Sequence, residues 1–505
     1  MRKAGAFVLL LAAACAAHAS KSKPETVTTP ATQDVDAARE NVRLAVIYAR
    51  NGNMVSAKEA LDRVMHVAQF ERLPEKVRFS ALVLAGGIAE DEEKPREAHD
   101  LLVRASAFAE SDLFVWSNRL ITAYTIQDYR DSARCVITIA RRWPDKLDTF
   151  HERAFIIVGR ELDASADQEL QRDYLQALFD AGWKTSEGEP SEFWRRLASL
   201  WLRAGNTQKA VAAAARIQSA RVVLAMRVDK QFDVLTRSNP GSYDVDRAVA
   251  REIEDAREQI KASPDRLAPV VRLQGLLLSV QHYDEVIALA DDVQAKTRDG
   301  QGPSLYKDFD EKYIWLLDER SRALARLGRW DEAVRQWEVA ARRPEQGGMN
   351  VSQIINLGQL YADLRRPREA LDTVQELGNV SDYGRMQLEI VRLQAAIVQQ
   401  DQVAIATHMD YMREHRNDAI ATWQAALLQT GDMDGAATLL IERLGSEAWR
   451  SDALSEMQQY APIQTTPMDA ERMKRWRAVI ARPDVQKALA KVGRVETFKL
   501  DPTET

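Results

Sequence analysis

The chain has 505 residues, 46% of them apolar and 29% charged, with a formal net charge of −6. That apolar share can fill a sizeable core, and a mildly acidic balance without a basic run argues against a nucleic-acid-binding protein. Of its two cysteines, Cys15 falls in an N-terminal targeting segment, which leaves Cys135 without an internal disulfide partner.

Met1-Arg2-Lys3, an apolar run from Ala4 to Ala17, and the small residues of Ala17-His18-Ala19 read as a secretory signal peptide over 1–19, cleaved after Ala19. The competing reading is a lipoprotein signal ending at Cys15, but Leu11 stands four positions before that cysteine where three is usual. Loss of Arg2 and Lys3 leaves a net charge of about −8. No later apolar run is long enough for a transmembrane helix. Cleavage therefore predicts a soluble periplasmic or secreted protein. Residues 20–33, with Pro24, Pro30 and several threonines, read as a flexible leader.

From 34 to 218 the apolar spacing is helical and recurs in paired segments. Leu44, Ala45, Tyr48, Gly52, Ala57 and Leu61 form a first copy, and Leu82, Ala85, Gly86, Ala98, Leu102 and Ala105 a second. Leu120, Tyr124, Ala133, Ile137 and Ala140 form a third, closed by Pro144. A fourth, at about 148–183, keeps only the periodicity, and a fifth carries Trp194, Leu197, Ala198, Trp201, Gly205, Ala210 and Ala214. The stretch 219–263 breaks the rhythm with Asn239-Pro240-Gly241 and a highly charged helix, and reads as a joint.

A second array spans 264–445. Its centre holds one pattern twice: Leu317, Leu324, Gly328, Trp330, Ala333, Trp337 and Ala340, then Leu357, Gly358, Tyr361, Ala370 and Val374. Gly328 suits a turn, and Ala333, Trp337 and Ala340 share one helix face. Ala370, Ala404 and Ala436 follow one another at 34 and 32 residues. A near-constant period of this length marks a solenoid.

These positions resemble the tetratricopeptide repeat, a unit of about 34 residues built from two antiparallel helices. The resemblance implies an all-α fold: an α-solenoid of stacked antiparallel helix pairs in a right-handed superhelix, in one run or two segments. It also implies a concave groove lined by the first helix of each pair, holding an extended peptide or a partner's helix. Placed in that register, Trp315, Asp318, Arg322, Arg326, Gln359 and Asp363 face the groove in the second array, and Glu192, Arg195 and Arg203 in the first. Asp318 and Arg322 stand where chaperone-binding members carry Lys and Asn, which argues against capture of an acidic C-terminus.

The tail, 446–505, reads as a helical cap. Within it, Trp476 to Leu489 resembles the last helices of the glutathione transferase helical domain over about 20 residues, without the thioredoxin-like domain that precedes them in that family.

No phosphate-binding, zincin or nucleophile-elbow motif occurs. His151-Glu152 lacks the second histidine of a zincin, and Ser304-Leu305-Tyr306-Lys307 lacks the partner motifs of a serine acyl enzyme. His408, Met412 and His415 are spaced to share a helix face and form a weak candidate Cu(I) set, set against the reading that they are packing residues. The sequence predicts no catalytic residues and no cofactor. Its leading implication is an exported, non-enzymatic protein-interaction scaffold in bacterial envelope assembly, secretion or polysaccharide export. The alternatives are a permanent structural subunit of an envelope complex, a copper-handling protein and a distant transferase.

Overall fold

The computed structural model describes residues 30–501, apart from 67–69, 166, 299, 301, 345–347 and 379. The expected signal peptide with Cys15 and Ala19, and most of the expected leader, lie outside the described residues. The protein is all-α, apart from one two-stranded sheet, and divides into two compact units, 1–216 and 217–505.

The first unit stacks helix hairpins: α1 Pro30–Arg50 with α2 Met54–Met65, α3 Glu75–Asp91 with α4 Pro95–Ser106, α5 Leu113–Thr125 with α6 Tyr129–Arg142, α7 Glu152–Asp163 with α8 Gln168–Asp180, and α9 Ser191–Arg203 with α10 Thr207–Ala214. Each helix packs on its hairpin partner and on the hairpins next to it.

The second unit opens with α11 Ala220–Val228 and α12 Val245–Ala262. Five hairpins follow: α13 Ala268–Ser279 with α14 Tyr283–Thr297, α15 Phe309–Arg326 with α16 Trp330–Ala341, α17 Val351–Asp363 with α18 Pro367–Thr373, α19 Asp382–Gln399 with α20 Gln402–Glu414, and α21 Ile420–Thr430 with α22 Met433–Gly445. Among the first helices, α13 packs on α15, α17 on α19 and α19 on α21, and Asn356 of α17 bonds to Asp318 of α15, so they form one layer of the stack. This is the arrangement of an α-solenoid, and the chain is a helical repeat protein.

One local device closes most of these hairpins. The turn residue after the first helix adopts a left-handed conformation: Gly52, Glu93, Gln127 and Gly205 in the first unit, and Gln281, Gly328, Arg365, Gln400 and Gly431 in the second. The next amide then reaches back five residues, as in Asn53 N–H to the Tyr48 carbonyl at 2.9 Å and Arg366 N–H to the Tyr361 carbonyl at 2.8 Å. Such a bond satisfies a carbonyl that the helix end leaves without a partner. At many of these turns an Asn or Asp then caps the second helix, among them Asn53, Asp128, Asn206, Asp401 and Asp432.

Small residues set the spacing between the paired helices. Ala57, Ala98, Ala210, Ala333, Ala370 and Ala436 are all fully buried on second helices. At Gly358 an added Cβ would come within 2.6 Å of a Val374 methyl, so α17 and α18 approach more closely there than any larger residue allows.

The tail does not continue the stack as another hairpin. Its helix α23 Arg450–Glu456 packs on α22 and on α11, at the start of the unit. Helix α24 Pro467–Ile480 lies against α17, α21 and α22, and α25 Pro483–Val492 against α22. Strand β1 Gln459–Tyr460 then pairs in parallel with β2 Thr497–Phe498. The second unit is thereby closed by its own C-terminus.

Candidate functional site

Helix α15 carries Trp315, Asp318, Arg322 and Arg326 at helical spacing, but they meet different surroundings. Asp318 is fully buried. One of its oxygens accepts from Trp337 Nε1 at 2.6 Å and from Asn356 Nδ2 at 2.9 Å, and the other from Arg322 Nε at 2.9 Å. It thus joins α15 to its hairpin partner α16 and to the next hairpin through α17. A buried carboxylate with three donors is a structural junction, and it presents no surface to a ligand. Trp315 and Arg322 are half-buried beside it.

Arg326, one turn further on, leads to the tail. Its Nε donates to the Asp501 carboxylate at 2.7 Å, and Tyr283 Oη donates to the same oxygen at 3.1 Å. The Asp501 amide donates to the Ser279 carbonyl at 2.8 Å. Asp501 is itself fully buried. The acid held by Arg326 and Tyr283 is a side chain of the same chain.

Gln359 and Asp363 on α17 form a second contact with the tail. Gln359 Nε2 and Gln394 Nε2 each stand 3.0 Å from Asp363 Oδ1, and the two amides bond to each other at 2.6 Å. Burial first, and then the Asp469 carboxylate on α24, raise the Asp363 carboxyl well above the usual carboxylate range, against the pull of Gln359, Arg472 and Gln394. Arg472 in turn holds Asp469 at 2.7 Å. The tail therefore meets the last residue of α15 through Asp501 and the last residue of α17 through α24.

In the first unit, Glu192, Arg195 and Arg203 sit along α9. Arg195 is buried and donates to Glu192 at 2.9 Å, whereas Glu192 and Arg203 are exposed, with Arg203 donating to Ser199 Oγ at 2.9 Å. Trp194 is fully buried and donates to Glu189 at 2.9 Å, with the Arg216 guanidinium 4.6 Å from its ring.

No family model matches the chain, and no curated protein matches it. Among solved structures it is similar to a circular tandem repeat protein with novel repeat topology and enhanced subunit contact surfaces, at 14% identity over 96% of this chain and 98% of that one, with a TM-score of 0.14. The assignment to helical repeats rests on this chain's own hairpins and their shared turn.

The remaining sequence candidates are occupied by structural contacts. His408 Nδ1 lies 2.6 Å from Glu389, a buried carboxylate that also receives Arg385 at 2.9 Å and Arg392 at 3.1 Å. Met412 is fully buried, while His415 stacks on Tyr411 at 4.2 Å between ring centres and approaches Asp418 at 3.1 Å. The three side chains thus do not share one exposed face, as their spacing alone suggests. Among the described residues no group of three or more His, Cys, Asp or Glu side chains could hold a metal ion. His151 accepts from the Arg153 amide at the start of α7, Glu152 accepts from Ser186, and Lys307 pairs with Asp265. Among the described residues no helix is long and apolar enough to cross a membrane.

Sequence reasoning did not find Asp501, Tyr283, Asn356, Gln394, Asp469 or Arg472. The one available signal was the buried–exposed–buried alternation Phe498, Lys499, Leu500, the mark of an extended segment lying on a surface.

Proposed function

We propose that this protein is an exported, non-enzymatic protein-interaction scaffold whose hairpins are degenerate tetratricopeptide repeats. The observation that carries the reading is the recurring hairpin with its left-handed turn and five-residue back-bond, stacked hairpin on hairpin within each unit. Stacked hairpins offer an extended surface, which suits a polypeptide partner. We assign the partner surface to the first unit, where Glu192 and Arg203 are exposed on α9. Work in the bacterial envelope follows from the signal peptide at 1–19.

Affinity capture from an envelope extract tests the reading, with the chain from Ser20 onward compared with Glu192→Arg/Arg203→Glu. Loss of a defined partner in the folded double variant supports binding on the first unit. Equal retention by both proteins moves the site elsewhere. N-terminal sequencing of the exported protein should begin at Ser20, and a lipid-modified start at Cys15 would contradict that expectation.

A further inference from the structure

The last residues of the described chain sit in their site as a peptide ligand sits in a receptor. Backbone bonds hold both ends: Arg494 N–H to the Val228 carbonyl at 3.0 Å, and Asp501 N–H to the Ser279 carbonyl at 2.8 Å. Between them the Ala461 amide donates to the Leu500 carbonyl at 3.2 Å, and β2 pairs with β1. Phe498, Leu500 and Asp501 are buried, and Lys499 between them is exposed. Phe498 lies between Tyr460 of β1 and Arg227 of α11, Leu500 borders residues of α11, α12 and α13, and Arg326 with Tyr283 supplies a cation and a phenol for Asp501. Extended-peptide recognition is built in this way, with main-chain bonds giving affinity and alternate side chains giving specificity.

Beside Leu500 lies a cavity of about 270 Å³, lined among others by Arg221, Glu252, Arg272, Gly275 and Ser279. The seated segment thus borders a space with charged side chains on its wall.

We propose that the strip running from α11 along β1 to α13, α14 and α15 is an exchangeable peptide site, filled in cis by residues 494–501 and open in trans to an extended partner segment of the pattern aromatic-x-Leu-Asp. The inference rests on the scaffold reading but concerns a different surface from Glu192 and Arg203, so the two can fail separately. The partner segment displaces the tail, and Arg326 and Tyr283 take its acid in place of Asp501.

A fluorescein-labelled peptide of residues 494–501 tests this by anisotropy on the full chain from Ser20. Asp501→Ala, which weakens only the tail's own anchor, should bind the peptide at least tenfold more tightly than the wild type. Adding Arg326→Ala should remove that gain, as should a peptide ending in Asn. A folded Asp501→Ala chain that binds no more peptide than the wild type overturns the proposal. If that variant does not fold, hydrogen exchange on the wild type decides. Amides of Lys499, Leu500 and Asp501 should exchange faster than those of α15, and exchange only on global unfolding overturns it.

Discussion

Arg326 and Asp501 lie 175 residues apart in sequence and meet at 2.7 Å, with the carboxylate fully buried. This pair brings the end of the second unit onto one of its inner helices. A desolvated acid of this kind stays folded only with a cation and further donors, and Tyr283 and the Asp501 backbone bond to Ser279 complete the set.

Asp318 is the corresponding junction inside the stack. Asp318→Ala removes the acceptor of Trp337, Asn356 and Arg322 together. Loss of a buried charged acceptor costs about 3 kcal/mol. Urea unfolding should show that loss, while Arg322→Ala, on the half-exposed side, should cost about 1 kcal/mol. Equal effects would contradict the junction role.

The left-handed turns give a prediction of opposite sign. Gln127 and Gln400 hold φ of 62° and 59°, where a side chain is strained and glycine is not. Gln127→Gly and Gln400→Gly should each stabilise the protein by up to about 1 kcal/mol, less the extra freedom glycine gains when unfolded. Gly328→Ala, at φ 74°, should destabilise by about 1 kcal/mol. Shifts in the urea midpoint measure all three.

These turns also explain how much of the fold was legible. Repeats with Gly52, Gly205, Gly328 and Gly431 announced themselves, because only glycine adopts that turn freely. The turn at Gln127 carries no such mark, and the hairpin α7–α8 lacks this left-handed residue among its described residues. Helical periodicity survived in both, so the helices were readable while the turn chemistry was not.

Glu90, near the end of α3, provides a pH dependence. Burial first, and then the neighbouring Asp91, push its pKa up to about 7. Its ordinary value is about 4.3, so folding favours the protonated form. That contribution is complete below about pH 4 and is lost as pH rises through about 7. Glu90→Gln should flatten the stability profile across this window and add about 1 kcal/mol at pH 8, allowing for solvent screening. An unchanged profile would contradict the assignment.

Cys135 is buried on α6, with its Sγ 3.8 Å from Asp131. Burial, and next the Asp131 carboxylate, raise the thiol well above its ordinary range. The folded chain should react with an aromatic disulfide reagent only as fast as it unfolds, and oxidation should yield no disulfide-linked dimer. Rapid labelling under native conditions would contradict this.

The site was less legible than the fold, for a physical reason. Helical spacing tells which residues of α15 share a face. It says nothing about what meets them: Arg326 and Asp363 contact residues 469–501, and long-range packing of a tail leaves no periodic trace in α15 or α17. The repeat register places Asp318 in the groove, whereas it is fully buried. Its partners Trp337 and Asn356 lie on other helices, beyond the reach of local spacing.

A double-mutant cycle on Arg326 and Asp501 tests the central claim, that the second unit is closed by its own C-terminus. Arg326→Ala, Asp501→Ala and the pair are unfolded in urea and their stabilities compared with the wild type. The account predicts that the two losses are not additive, with a coupling of about 1–3 kcal/mol. Losses that add to within about 0.5 kcal/mol would show that the two side chains do not meet in solution, and that the tail does not lie where the structure puts it.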